Sequence, residues 1–225
     1  MNSLPHLARI YAERAAGPEP RAEAVRVTQV GEMVLKPGAA PRRFAAVEEL
    51  AVGRVSFTWR ASFPILGPIS MRVIDSYDEE DGRLEVRLFG IRVQRKRGPE
   101  LARGEAYRYL AEIGWVPHAI LANPELTWRD VDERTVEVST SVRSDQIAVR
   151  LIFNQRGEIA QTVAARPRLE AGNAVTWWIG EFADYERLGG LVVPTRGEVR
   201  WELADGPFTY WRGTITSLEV IPDRG

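Results

Sequence analysis

Residues 97–118, RGPELARGEAYRYLAEIGWVPH, set the organisation of the chain. Leu101, Ala102, Ala106, Tyr109, Leu110 and Ile113 recur at helical spacing and so share one stripe. Pro99 suits the first helical turn, where its missing N–H has no partner to lose. Gly114 can take the left-handed conformation that closes a helix, and Pro117 forbids continuation. The reading is one central helix over 98–114, packed over a curved sheet and helping to close a cavity.

Outward from this helix the period changes from helical to alternating. Upstream, AVRVTQVGEMVLK (24–36) and RVSFTWRAS (54–62) read as strands. In the second, Val55, Phe57, Trp59 and Ala61 alternate with Arg54, Ser56, Thr58 and Arg60, one face dry and one wet. Asp81-Gly82, between MRVIDSY and RLEVRLFGIRV, is a hairpin signal. Within the latter the apolar parity switches at Gly90, which predicts a bulge that curves the sheet. Arg92, Arg95, Lys96 and Arg97 read as a solvated turn before the helix.

Downstream, strands are expected at 125–130, 134–141, 145–153, 158–165, 174–183, 191–203 and 208–219. Turns fall at Val131-Asp132-Glu133, at Asn154 to Gly157, at Gly189-Gly190 and at Asp205-Gly206-Pro207. Residues 3–16 form a short amphipathic helix, with Leu4, Leu7, Ala8, Tyr11 and Ala15 on its inner face. Ser3 is its expected N-cap and Gly17-Pro18 its end. The total is about eleven strands and two helices, with no βαβ rhythm. The fold class is mainly β (α+β): a curved antiparallel sheet forming an incomplete barrel with helices on its concave face. Nothing resembling a linker divides the chain. It is one domain over 1–225, with helix 1–17, strand block 22–96, central helix 98–114 and strand block 125–220.

Composition narrows the function classes. Lys and Arg number 30 against 31 Asp and Glu, so no global field draws nucleic acid or anionic lipid. With no cysteine and only His6 and His118, thiol chemistry, zinc ribbons and multi-histidine metal sites are excluded. No apolar run is long enough to span a membrane or to form a secretory signal, which predicts a cytoplasmic protein without stable membrane insertion. Gly-rich phosphate loops, nucleophile elbows and H-E-x-x-H pairs are absent, and no cofactor is expected.

The chain is rich in aromatics: seven Trp, six Tyr and seven Phe. A sheet this wide exceeds the roughly eight strands whose side chains fill a barrel, which leaves interior space. Phe57, Trp59, Trp115, Trp177, Trp201 and Tyr210 are the expected apolar lining, with Glu105 and Tyr109 as polar contacts at the mouth. Trp178 and Trp211 are the opposite-parity partners of Trp177 and Tyr210. If the cavity performs chemistry, Glu105, Tyr109 and His118 are the candidate proton donors. Asp184 and Tyr185 form a weaker candidate pair. Arg108 and Glu112, four apart on the helix, read as a solvated ion pair.

The segments LPHLARIYAERA (4–15), RGPELARGEAYRYLAEIGWVPHAIL (97–121), FADYERLGGLVVPTRGEVRWEL (182–203) and GPFTYWRGTITSLE (206–219) resemble an uncharacterised bacterial family, a domain of unknown function. The resemblance implies a half-barrel like that of the lipoprotein carriers (LolA/LppX-like), whose concave side holds acyl chains. It implies an apolar ligand and supplies no catalytic residues. The functional expectation is therefore a binding or carrier protein for a lipid-like or other apolar small molecule. The alternative is a cofactor-independent cyclase or isomerase that works on a flexible apolar substrate in the same cavity.

Overall fold

Thirteen antiparallel strands form one sheet among the residues that the computed structural model describes, 3–17, 22–168 and 171–223. Strands β1 (Ala22–Met33), β2 (Arg42–Ala51), β3 (Phe57–Leu66), β4 (Ile69–Asp78), β5 (Asp81–Leu88) and β6 (Ile91–Arg97) make a first meander. Strands β7 (Thr127–Asp132), β8 (Thr135–Val142), β9 (Asp145–Phe153), β10 (Ile159–Arg168), β11 (Ala174–Leu188), β12 (Leu191–Leu203) and β13 (Gly206–Pro222) make a second. The meanders join where β1 pairs with β13, and β6 and β7 remain as edges. The sheet is an open half-barrel.

Alternation places the core. On β3, Phe57, Trp59, Ala61 and Phe63 are buried while Arg60 and Pro64 are exposed. On β9, Ile147, Val149, Leu151 and Phe153 are buried in the same way. Each large apolar side chain removed from water contributes about 1.5–3 kcal/mol. Strand β2 was not legible as a strand, because the fully buried Glu48 stands in its inward row between Phe44, Ala46 and Leu50.

Three expected turns are corrected. The β4–β5 hairpin closes at Glu79-Glu80, with φ of 47° and 61°, and not at Asp81-Gly82. Gly82 is needed for a different contact: a Cβ there would lie 2.6 Å from the backbone nitrogen of Ala102. The parity switch at Gly90 is a chain reversal and not a bulge, since Phe89 and Gly90 have φ of 52° and 78°, the positive pair that tight hairpins favour. Residues 91–97 therefore form edge strand β6, not a solvated turn. Its Arg92, Arg95, Lys96 and Arg97 are the charges that keep an open edge from pairing with another chain. The β7–β8 turn falls one residue later than expected, at Glu133-Arg134.

In sequence α1 precedes the first meander and α2 and α3 lie between the two; in space all three pack over the sheet. α1 (His6–Ala16) follows Pro5 and has no side-chain cap, so Ser3 does not serve as its N-cap. It buries Ala8, Tyr11, Ala12, Ala15 and Ala16, and Gly17 ends it at φ 67°; Pro18 lies outside the described residues. α2 (Pro99–Ala111) starts at Pro99 as expected and runs into a single 3-10 turn, Ile113–Trp115. Gly114 lies inside that turn and does not form a left-handed cap. Pro117 both stops the turn and begins α3 (Pro117–Ala122), a helix the sequence reading lacked. α1 packs on α3 and β12, and the Tyr11 hydroxyl donates to the Gly114 carbonyl at 3.1 Å. α2 lies against β4, β5 and β6 on one side and β8, β9 and β10 on the other, bridging the two meanders.

A candidate ligand cavity beneath the central helix

Between α2 and the concave sheet lies a cavity of about 420 Å³. Its walls are apolar and come from both meanders: Met33, Trp59, Phe63, Met71, Val73, Leu84 and Val86 on one side, Trp178, Val199, Tyr210 and Trp211 on the other. Leu35 lines it while remaining 57% exposed, so the cavity opens to solvent there. Its polar end comes from Asp75, Gln94, Arg166 and the α2 residues Glu105, Arg108 and Glu112.

A bulge shapes one wall. Val199 pairs with Trp211 and Arg200 with Thr209, leaving Tyr210 without a partner on β12. The extra residue lets Tyr210 and Trp211 both face the cavity, which strict alternation forbids. Trp178 is held in place by donating Nε1–H to the Tyr210 hydroxyl at 3.0 Å. Behind this wall Trp115 packs on Trp211, with ring centroids 6.2 Å apart, and donates to the Pro194 carbonyl at 3.0 Å.

The polar end is organised by Arg108. Its three nitrogens donate to three carboxylates: Nη2 to Glu48 Oε1 at 2.6 Å, Nη1 to Asp75 Oδ2 at 3.0 Å and Nε to Glu112 Oε1 at 2.9 Å. The guanidinium lies over the rings of Phe57 and Trp59, 4.7 and 5.2 Å from their centroids. Glu48 also accepts from Gln29 Nε2 at 2.9 Å, so both its oxygens are satisfied. Burial works against the charge of Arg108, but Glu112, Glu48, Asp75 and Glu105 together hold its pKa well above the ordinary value.

The four carboxyls outnumber the two guanidiniums, which favours proton uptake in this cluster. Burial, then the negative charge of Asp75, pushes Glu105 well above the usual carboxylate range, against the pull of Arg108 and Arg166. Burial and the charge of Glu48 do the same to Glu112, although Arg108 pulls it down. Asp75 Oδ1 and Glu112 Oε2 are buried with no N–H or hydroxyl donor. These shifts favour the protonated forms of Glu105, beside Asp75, and of Glu112, beside Glu48, and such protons would supply the missing donors. The second cation, Arg166, is boxed by the faces of Tyr107, Trp178 and Trp201 at 5.2, 4.7 and 5.5 Å.

Of the expected lining, Trp59, Glu105 and Tyr210 face the cavity. Trp177 does not; it is 51% exposed, and its neighbour Trp178 is the inward residue. Phe57, Trp115 and Trp201 are buried but stand one layer back, under Arg108, behind Trp211 and beside Trp178. Tyr109 is spent elsewhere in the core: its hydroxyl donates to the Ala51 carbonyl at 2.7 Å and accepts from Asn123 Nδ2 at 3.1 Å. His118 is buried in α3 and is not among the lining residues. Arg108 and Glu112 do pair, but inside and not on a solvated face. Asp184 and Tyr185 are separate from the cavity, the one pairing with Arg196 on the surface and the other donating to the Ile159 carbonyl. The sequence reading missed Glu48, Asp75 and Arg166, charged residues on strands that no local pattern marks as facing inward.

An open antiparallel half-barrel with helices across its concave face defines the architectural class. Solved structures share it at low identity. A LolA superfamily protein from Nitrosomonas europaea matches with a TM-score of 0.51 and 13% identity, over 97% of this chain and 94% of that one. A DUF1329 family protein from Desulfovibrio piger matches with a TM-score of 0.51 and 10% identity, over 97% and 91%. A domain from Vibrio parahaemolyticus assigned to outer-membrane lipoprotein sorting matches with a TM-score of 0.54 and 11% identity, over 95% and 90%. The chain belongs to a family of unknown function, DUF6544, whose model matches residues 1–213. No curated protein matches it. Among the described residues no helix is long and apolar enough to cross a membrane, and no group of three His, Asp or Glu could hold a metal ion.

Proposed function

We propose that this protein binds a lipid-like or other apolar small molecule in the cavity beneath α2, as a carrier or sequestering protein. The observation that carries the reading is the cavity: about 420 Å³ of apolar-walled space, a size that suits a small-molecule site, with its polar groups gathered at one end. The half-barrels that share the fold, one of them assigned to lipoprotein sorting, support the same reading. The test uses a fluorescent alkyl-chain probe and the cavity-filling variant Val86→Trp. Saturable binding of one probe per chain, weakened at least about tenfold by the variant, is expected. Equal binding by both proteins would overturn the proposal.

One observation favours a second reading, a cyclase or isomerase acting in the same space. Glu105 lines an apolar cavity and its pKa is pushed well above the usual carboxylate range by burial and then by Asp75, the placement and the direction of shift that suit a proton donor. Turnover of a flexible polyene that disappears in Glu105→Gln while binding persists would favour it. Binding without turnover in the wild type favours the carrier.

A further inference from the structure

The polar end of the cavity carries its own chemical preference. Glu48, Asp75, Glu105 and Glu112 converge there against only Arg108 and Arg166. Arg108 already spends three of its five N–H groups on carboxylates, one from each nitrogen. Glu105 is buried and faces the cavity, and burial together with the negative charge of the neighbouring Asp75 raises its pKa well above the usual carboxylate range. Trp59, Trp178, Tyr210 and Trp211 line the same cavity, Trp59 with Arg108 and Trp178 with Arg166 over their rings. Aromatic faces beside a carboxylate are the surroundings that attract an alkylammonium group and repel a carboxylate. The surplus of carboxyls, with Tyr210 and Trp211 adding aromatic lining beside it, points to a cationic ligand.

We propose that the cavity takes an amphiphile whose polar end is a cation, an amine or quaternary ammonium, seated against the Glu105–Asp75 pair with its chain along Met33, Phe63, Met71 and Val86. The inference rests on the reading of the cavity as a site for an apolar chain, and adds the charge of the head. A cation seated there favours the charged form of Glu105, so binding should be accompanied by release of a proton. Glu105 is faced by Asp75 from β4, Arg166 from β10 and Arg108 on α2, with Glu48 of β2 and Tyr210 of β13 next in line. Arg166, with the remaining N–H groups of Arg108, could draw an anionic head instead, and the test sets these cations against the carboxyls.

Calorimetry with decyltrimethylammonium, decanol and decanoate, each below its critical micelle concentration, compares three heads on one chain. The ammonium is expected to bind at least about tenfold more tightly than either other ligand. Its affinity should rise with pH above the ordinary carboxylate range, as the proton becomes easier to release. In Glu105→Gln, which puts a neutral amide in place of the carboxyl, the ammonium should fall to the level of the alcohol and lose its pH dependence. Decanoate binding as tightly as the ammonium would overturn the inference and assign the head to the two guanidiniums. Equal binding of all three would overturn it while leaving the apolar-chain reading intact. Binding of none would overturn both. The wild-type comparison decides the matter even if the variant does not fold.

Discussion

Replacing Arg108 by Met removes one charge and leaves a straight chain that ends about where Arg108 has its Nε, short of the guanidinium carbon over Phe57 and Trp59. Three donated hydrogen bonds disappear, at 2.6, 3.0 and 2.9 Å, and Glu48, Asp75 and Glu112 lose their shared counter-ion. Stripping one partner from a buried ionic cluster costs about 3–5 kcal/mol. That is a large part of the roughly 5–15 kcal/mol by which domains are stable. The abandoned carboxyls can limit the loss by taking up protons, at about 1.4 kcal/mol for each pH unit above the titration point. The variant should therefore lose more stability at about pH 8 than at about pH 5, and adding Glu48→Gln should return part of it. Urea unfolding with an unchanged m value reads both effects from the midpoint. A loss below about 1 kcal/mol at the higher pH, or the same loss at both, would refute the claim that Arg108 neutralises a buried cluster.

Three further outcomes are expected. Glu105 and Glu112 titrate above the ordinary carboxylate range in the folded chain, so between that range and their folded pKa values the native state holds extra protons. Their contribution is complete below the unfolded pKa and is lost as pH rises through the folded one; melting temperature should fall across that window, and less steeply in Glu105→Gln. Trp178→Ala should cost about 3–5 kcal/mol and Trp177→Ala less than about 0.5, by denaturant titration, since only the first is buried. Gly82→Ala pushes a methyl into the first turn of α2 and should cost about 1–3 kcal/mol, whereas Gly53→Ala, with open space around it, should be near neutral in the same titration.

How much of this was legible depended on whether the signal was local. The α2 stripe and the alternation of β3 and β9 are statements about neighbours in sequence, and all three elements stand where periodicity put them. The hairpin of β5 and β6 was misread because a two-residue turn and a bulge leave the same trace, a change of parity at a glycine. Strand β2 was hidden by Glu48, whose counter-ion Arg108 arrives from a helix some sixty positions away. The Trp177–Trp178 choice was open for a related reason. Parity separates two faces but does not say which one the helix covers, and Tyr210 and Trp211 share a face only because of a bulge set by β12. The cavity was anticipated from sheet width, while its polar end was not, because its acids come from β2, β4 and α2. Charged residues that face inward have no sequence signature until their partners are known.

The most direct test of the central claim is native mass spectrometry of the freshly purified protein, followed by solvent extraction of whatever it carries. An apolar-chain molecule at close to one per protein, absent from Val86→Trp prepared in the same way, is the predicted result. A wild-type mass equal to that of the bare chain, with no gain in melting temperature from alkyl-chain ligands of any head group, would contradict it.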